Sequence, residues 1–138
     1  MRILITGAHS YIGTSFQTYM ASHQPDWQID TISLRNEQWR EVCFSHYDAV
    51  LHTAGIAHAD REKISMEREH LYYQVNTELA VETAEKAKTD GVGQFLYLSS
   101  AIIYGDSAPI GETKIITADT PPAPRSCYGD SKLRAELR

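Results

Sequence analysis

Apolar positions along the chain alternate between short unbroken runs and stretches of helical spacing. Ile3, Leu4 and Ile5 form a compact run with a β-branched bias, closed by Thr6-Gly7, which is how a parallel strand buried on both faces reads. Beyond Gly7 the period changes: Tyr11, Ile12, Ser15, Phe16 and Tyr19 recur at helical spacing and predict a helix to about Ser22. His23-Gln24-Pro25-Asp26 makes the return turn, and Trp27–Leu34 reads as a second strand. Only thirteen residues, Arg35 to Tyr47, precede the next apolar run, little room for a full crossover, which takes ~10–12 residues for the connection alone. A short helix over Glu37–Val42 and at most a vestigial strand at Val42-Cys43-Phe44 are expected there. Tyr47–Thr53 is the next buried strand, and the small residues Ala54 and Gly55 leave its end. A loop from His58 to Ser65 leads into the longest helix, Met66–Thr89, with Leu71, Val75, Leu79, Thr83, Ala84 and Ala87 on its expected core face. Asp90-Gly91-Val92-Gly93 ends it, Gln94–Leu98 is a further strand, and a proline-rich loop, Thr117–Arg125, precedes a last helix. Strands alternating with helices call for a parallel sheet with right-handed crossovers.

Composition narrows the setting. A chain of 138 residues suits one domain, 1–138, and is long enough to bury a proper core. The net charge of −5 argues against non-specific binding to nucleic acid or to an anionic membrane. No apolar run approaches ~18 residues, so neither a transmembrane span nor a signal peptide is expected. The two cysteines, Cys43 and Cys127, show no C-x-x-C spacing and fit a reducing, cytoplasmic location. His52, His58 and Asp60 straddle a strand end and a loop, and no metal site is expected from them.

The chemistry gathers at three places. At the first, strand, tight turn and helix follow within a dozen residues, and the turn reads Gly7-x-x-Ser10-x-x-Gly13. Free N–H groups of a first helical turn favour an anion, and a dinucleotide pyrophosphate is the usual occupant. Ser10 is small enough for its backbone N–H to reach a phosphate, and its hydroxyl is a possible further donor. At the end of the second strand, Ser33 and Arg35 suit a ribose 2′-phosphate better than a bare hydroxyl, a lean towards NADP over NAD; a solvated loop charge is the other reading of Arg35. Asp30 falls mid-strand and on the wrong face to serve a ribose. At the second place, Leu98-Ser99-Ser100 releases two hydroxyls at a strand's C-terminal end, where open α/β sheets bind ligands. At the third, Tyr128 and Lys132 stand at i,i+4 and share a helix face. A free phenol has a pKa of about 10, and a nearby cation draws it towards the working range of a general acid–base. Bland structural roles are open to the same residues: the glycine turn as a structural turn of some other α/β domain, Ser100 as the cap of a turn, Tyr128 as a packed helix tyrosine, and Cys127 as a bystander.

Y-G-x-S-K followed by Ala135-Glu136, S-S-A-x-x-Y-G, D-A-V-L-H-x-A-G and the N-terminal turn stand here in one order, spanning Thr6 to Glu136. In this the chain resembles the extended short-chain dehydrogenases/reductases and, more narrowly, the NAD-dependent epimerase/dehydratase family acting on nucleotide sugars. The resemblance implies an α/β, Rossmann-type doubly wound parallel sheet of about four to five strands. It implies Tyr128 as acid–base, Lys132 as its activator and a ligand of the nicotinamide ribose, and Ser100 as anchor of the substrate oxygen. Gly7, Ser10, Tyr11, Ile12 and Gly13 would hold the pyrophosphate of NAD or NADP, with Ala54, Gly55 and Ile56 on the adenosine side. The substrate implied is a UDP- or dTDP-sugar. The chain departs from the family where Ser10 replaces a glycine and where Cys43 stands in place of an Asp that touches adenine. It also stops at Arg138, inside the Y-x-x-x-K helix, so a fragment is expected: the cofactor part without the last strands and the substrate lobe, inactive alone and prone to self-association through an uncovered strand edge. A non-catalytic NAD(P)-binding regulator of the same fold is the alternative.

Overall fold

The structure, a computed structural model, describes residues 1–57 and 65–138. Most of the loop expected over 58–65, including His58 and Asp60, lies outside the described residues. The chain groups into two compact units, Met1–Gly55 with Leu79–Leu98, and Ile56–Glu78 with Ser99–Arg138.

In the first unit the apolar runs pair as a sheet. β1 (Arg2–Thr6), β2 (Gln28–Ile32), β3 (Ala49–His52) and β4 (Gln94–Tyr97) are all parallel, in the order β2-β1-β3-β4. Alternation along the strands divides the core. Leu4 and Val50 face one side, with Trp39, Phe44 and Ala87; Ile3, Ile5 and Leu51 face the other, with Phe16 and Trp27. Helix α1 (Tyr11–His23) therefore covers one face, and Leu79 and Ala87 of a later helix, Leu79–Thr89, cover the opposite one. This is the doubly wound α/β arrangement expected, with four strands among the described residues.

Two local features add to the sequence reading and one, the buried face of the long helix, corrects it. Helix α1 packs through Gly13, Phe16 and Met20, whereas Tyr11, Ile12 and Tyr19 are exposed; Tyr19 instead stacks on His23 with ring centroids 3.8 Å apart. The segment Val42–Phe44 pairs with no strand among the described residues. The connection is a 3₁₀ helix, Glu37–Glu41, and its large side chains Trp39 and Phe44 are driven into the core at 1% and 0% exposure. Asp90 pins this connection by accepting from the Phe44 N–H at 2.7 Å and from Lys86 at 3.0 Å. The stretch Met66–Thr89 is helical in three consecutive pieces: α2 (Met66–Tyr72), a π turn (Tyr73–Glu78) and α3 (Leu79–Thr89). The extra residue of the π turn shifts the buried face to Tyr72, Asn76, Thr77, Ala80, Thr83 and Ala87, so that Leu71 is exposed.

The second unit holds α2, the π turn, a 3₁₀ turn over Ala101–Tyr104 and α4 (Cys127–Glu136). Its loop from Gly105 to Arg125 is closed by the Ala123 N–H on the Ile103 carbonyl (2.8 Å) and by Lys114, whose ammonium donates to the carbonyls of Tyr104 (2.7 Å) and Asp106 (3.0 Å).

Candidate functional site

Each unit carries its own group of candidate residues. In the first, Gly7 has φ +97°, a conformation natural to glycine, and a Cβ there would lie 2.9 Å from both the Ala54 nitrogen and Thr53 Oγ1. A Cβ on Gly13 would come within 2.7 Å of Ser10 Oγ and 2.9 Å of Ile5 Cγ2. The bare backbone of both glycines thus lets α1 start tightly against the strand ends. Ser10 caps α1: its Oγ accepts from the Gly13 N–H at 2.9 Å, and its own N–H donates to the Gly7 carbonyl at 2.8 Å. The first-turn donors without an acceptor among the described residues are the N–H groups of Tyr11 and Ile12. The hydroxyl of Ser10, offered by the sequence as a phosphate donor, instead points inward at Thr53 Oγ1, 2.6 Å away. Its N–H is likewise spent inside the turn.

Around this turn stand the other expected contacts. The Gly7 N–H donates to the Ile32 carbonyl (2.9 Å), so Ser33 and Arg35 leave β2 directly beside it. Arg35 is exposed, makes no ion pair among the described residues, and its N–H donates to Ser33 Oγ (3.3 Å). Asp30 is committed elsewhere, accepting from the Tyr47 hydroxyl at 3.0 Å and standing 4.0 Å from Arg2. Ala54 abuts Gly7, Gly55 follows it exposed, and Ile56 belongs to the second unit. His52 is buried in β3 with Nδ1 2.8 Å from Thr6 Oγ1, and no group of three or more potential metal ligands occurs among the described residues. Cys43 is an exposed thiol whose pKa is lowered by its bond with Ser45.

In the second unit, α4 starts at a second capping serine, Ser126, which accepts from the Gly129 N–H at 3.1 Å. Tyr128, half-buried, lies one turn before Lys132, and its ring centroid is 6.3 Å from that of Tyr72. Lys132 is only 6% exposed; burial pushes its pKa down, opposed by the charge of Glu136. Ser100 caps the 3₁₀ turn, its hydroxyl 3.4 Å from the Ile102 N–H. That turn packs onto α4 beside Tyr128, because a Cβ on Gly129 would meet the Ile102 carbonyl at 3.2 Å and Pro124 Cβ at 3.1 Å. Burial raises the pKa of the Cys127 thiol, which suits a bystander.

Sequence reasoning missed the scaffold under this helix. Buried Asn76 accepts from the Ile56 N–H (2.9 Å) and donates to the Ile56 carbonyl (3.0 Å) and to Ser131 Oγ (3.1 Å). Thr77 donates to the Ser131 carbonyl at 2.7 Å, and Ser131 donates to the Tyr128 carbonyl at 2.8 Å. Tyr73 donates to Asp130 at 2.8 Å, and burial, together with this bond, pushes its pKa up to about 12. The available signal was Asn76-Thr77 itself, two polar residues in the middle of an otherwise amphipathic helix.

A parallel sheet covered on both faces, with a glycine turn between its first strand and first helix, defines a Rossmann-type α/β fold. The chain belongs to the NAD dependent epimerase/dehydratase family, whose sequence profile matches residues 3–137. It is 30% identical over 149 residues to the GDP-6-deoxy-D-mannose reductase of Pseudomonas aeruginosa, an alignment covering 98% of this chain and 45% of that protein. It is 36% identical over 100 residues to the UDP-glucose 4-epimerase of Erwinia amylovora, covering 70% of this chain and 27% of the epimerase. The solved structure of RMD from Pseudomonas aeruginosa complexed with NADPH superposes with a TM-score of 0.77 at 27% identity, over 99% of this chain and 47% of that one. The chain therefore spans less than half the length of the relatives it matches.

Proposed function

We propose that residues 1–138 form the nicotinamide-dinucleotide-binding domain of a nucleotide-sugar epimerase, dehydratase or reductase, with Tyr128 as its acid–base group. The observation that carries this is Lys132, buried one helical turn from Tyr128 in a chain of this family. The residues present fit the cofactor: the glycine turn has no room for side chains, and two amides at its mouth are free to meet a pyrophosphate. The Tyr11 and Ile12 amides would hold that group, in a turn shaped by Gly7, Ser10 and Gly13, with Ala54, Gly55 and Ile56 on the adenosine side. Ser33 and Arg35 would face the ribose, which favours NADP over NAD.

The dinucleotide, when bound, supplies hydride acceptance or donation. Tyr128 takes or returns the proton of the sugar hydroxyl at its phenol oxygen. Lys132, buried one helical turn away, would act as its activator and bond the nicotinamide ribose. Ser100 offers its hydroxyl to the same substrate oxygen. A non-catalytic regulator would have no use for an activated phenol. The substrate proposed is a nucleotide sugar, UDP- or dTDP-linked; the relative named for a GDP-sugar adds a third base to assay. In the full-length protein, Tyr128→Phe should lower cofactor-dependent turnover of such sugars by about 10²–10⁴-fold while NADPH still binds. Unchanged turnover in that variant would remove Tyr128 from the chemistry.

The 138-residue chain taken alone is proposed to bind cofactor without turnover, since its matched relatives are more than twice as long. The outer edge of β4, with Leu96 at 39% exposure, supports self-association; light scattering that stays at monomer mass up to high concentration contradicts it. Two free cysteines fit a cytoplasmic setting, which fractionation of the cell checks. No helix among the described residues is long and apolar enough to cross a membrane.

A further inference from the structure

We propose that Thr53 is a positioning residue for the dinucleotide turn, its hydroxyl holding Ser10 in the orientation that leaves the Tyr11 and Ile12 amides as the phosphate donors. This rests on the turn being the cofactor site. Thr53 Oγ1 donates to the Thr6 carbonyl at 2.7 Å, and the Thr53 N–H donates to the same oxygen at 3.0 Å. With its one hydrogen spent, Thr53 Oγ1 only accepts, so its 2.6 Å contact with Ser10 Oγ is a bond donated by Ser10. The Ser10 oxygen in turn accepts from the Gly13 N–H, and the Ser10 N–H is on Gly7. Both polar hydrogens of Ser10 are thereby directed into the protein.

The position of Thr53 Oγ1 makes it the meeting point of three elements. It lies 2.9 Å from where a Cβ on Gly7 would be and 3.2 Å from one on Gly13, at the junction of the ends of β1 and β3 with the start of α1. A glycine at position 10, the residue the resembling family places there, brings no hydroxyl and needs no such acceptor. Ser10 and Thr53 are therefore one unit. Remove the Thr53 oxygen and the Ser10 hydrogen loses its inward acceptor, the bond to Gly13 competes with other rotamers of Ser10, and the first-turn amides lose their fixed aim.

The test is a double-mutant cycle of Thr53→Ala and Ser10→Gly, with Thr53→Ser as the conservative control, read by NADPH fluorescence titration and by thermal melting. Alanine is used because a carbon in place of an oxygen 2.6 Å from Ser10 Oγ would clash. Thr53→Ala should weaken NADPH binding about three- to tenfold in the native background. In the Ser10→Gly background the loss should shrink to about twofold or less, and Thr53→Ser should bind as the native protein does. Equal losses in both backgrounds, no loss in either, or a Thr53→Ser variant as weak as Thr53→Ala would overturn the proposal. Should Thr53→Ala fail to fold, Thr53→Ser alone decides, by keeping or losing native affinity. A folded native protein that binds neither NADPH nor NADH overturns the cofactor assignment itself, an outcome distinct from all of these.

Discussion

Two helices of this chain begin with the same device and put it to different uses. Ser10-x-x-Gly13 opens α1 and Ser126-x-x-Gly129 opens α4, each serine accepting from the N–H of the glycine three residues on. In both places the glycine lets a second element come close: Ile5 and Thr53 at Gly13, Pro124 and the Ile102 carbonyl at Gly129. At α1 the side chains that follow the cap, Tyr11 and Ile12, are exposed, and the groups proposed to meet a ligand are their backbone amides. At α4 the groups proposed to act are side chains, Tyr128 and Lys132, and the cap sets where the helix starts. A capping motif thus fixes the entry of a helix, and its surroundings decide whether backbone or side chain meets the ligand.

The comparison breaks most sharply at its glycines. Gly13→Val, with its nearest neighbours already 2.7–2.9 Å from the first added carbon, should abolish NADPH binding and cost about 1–3 kcal/mol of stability. Gly129→Ala, where the contacts are 3.1–3.2 Å, should leave NADPH binding intact with a smaller loss. Titration beside urea denaturation checks both, and equal binding defects would erase the distinction between the two starts. Next in size is Asn76→Leu. It removes three hydrogen bonds and leaves the Ile56 N–H and carbonyl without this partner, so it should destabilise the fold by about 2–4 kcal/mol. A change below about 0.5 kcal/mol in urea would show that Asn76 carries none of the load assigned to it.

The smallest expected effect is a pH trend at Lys132. Burial holds this amine below its ordinary 10.5, so the unfolded chain binds more protons than the native one between the lowered value and 10.5. The cost of burying the charge is complete below the native pKa and fades as pH rises towards 10.5. Relative to Lys132→Met, the native protein should gain stability as pH rises from about 7 to about 10, read as converging urea midpoints. Midpoints that diverge would mean that Lys132 gains a partner on folding strong enough to outweigh its burial.

What was legible in the sequence follows the same division. The β1–turn–α1 start could be read because a β-branched run, two glycines and a change of period are local features, and the Tyr128–Lys132 pair because i,i+4 spacing is local too. Three things depended on long-range packing and were not legible. The π turn moved the buried face of the long helix onto Asn76 and Thr77, whose burial makes sense only with Ser131 opposite. The buried face of α1 went to Met20 rather than to either exposed tyrosine. The hydroxyl of Ser10 turned inward because Thr53, 43 residues away in sequence, offers it an acceptor.

Whether the opening turn binds a nicotinamide dinucleotide through its backbone is read from calorimetric titration of NADP and NAD side by side. Saturable binding at one site per chain, tighter for NADP, is the expected result. Flat titrations with both dinucleotides for a folded protein would contradict it.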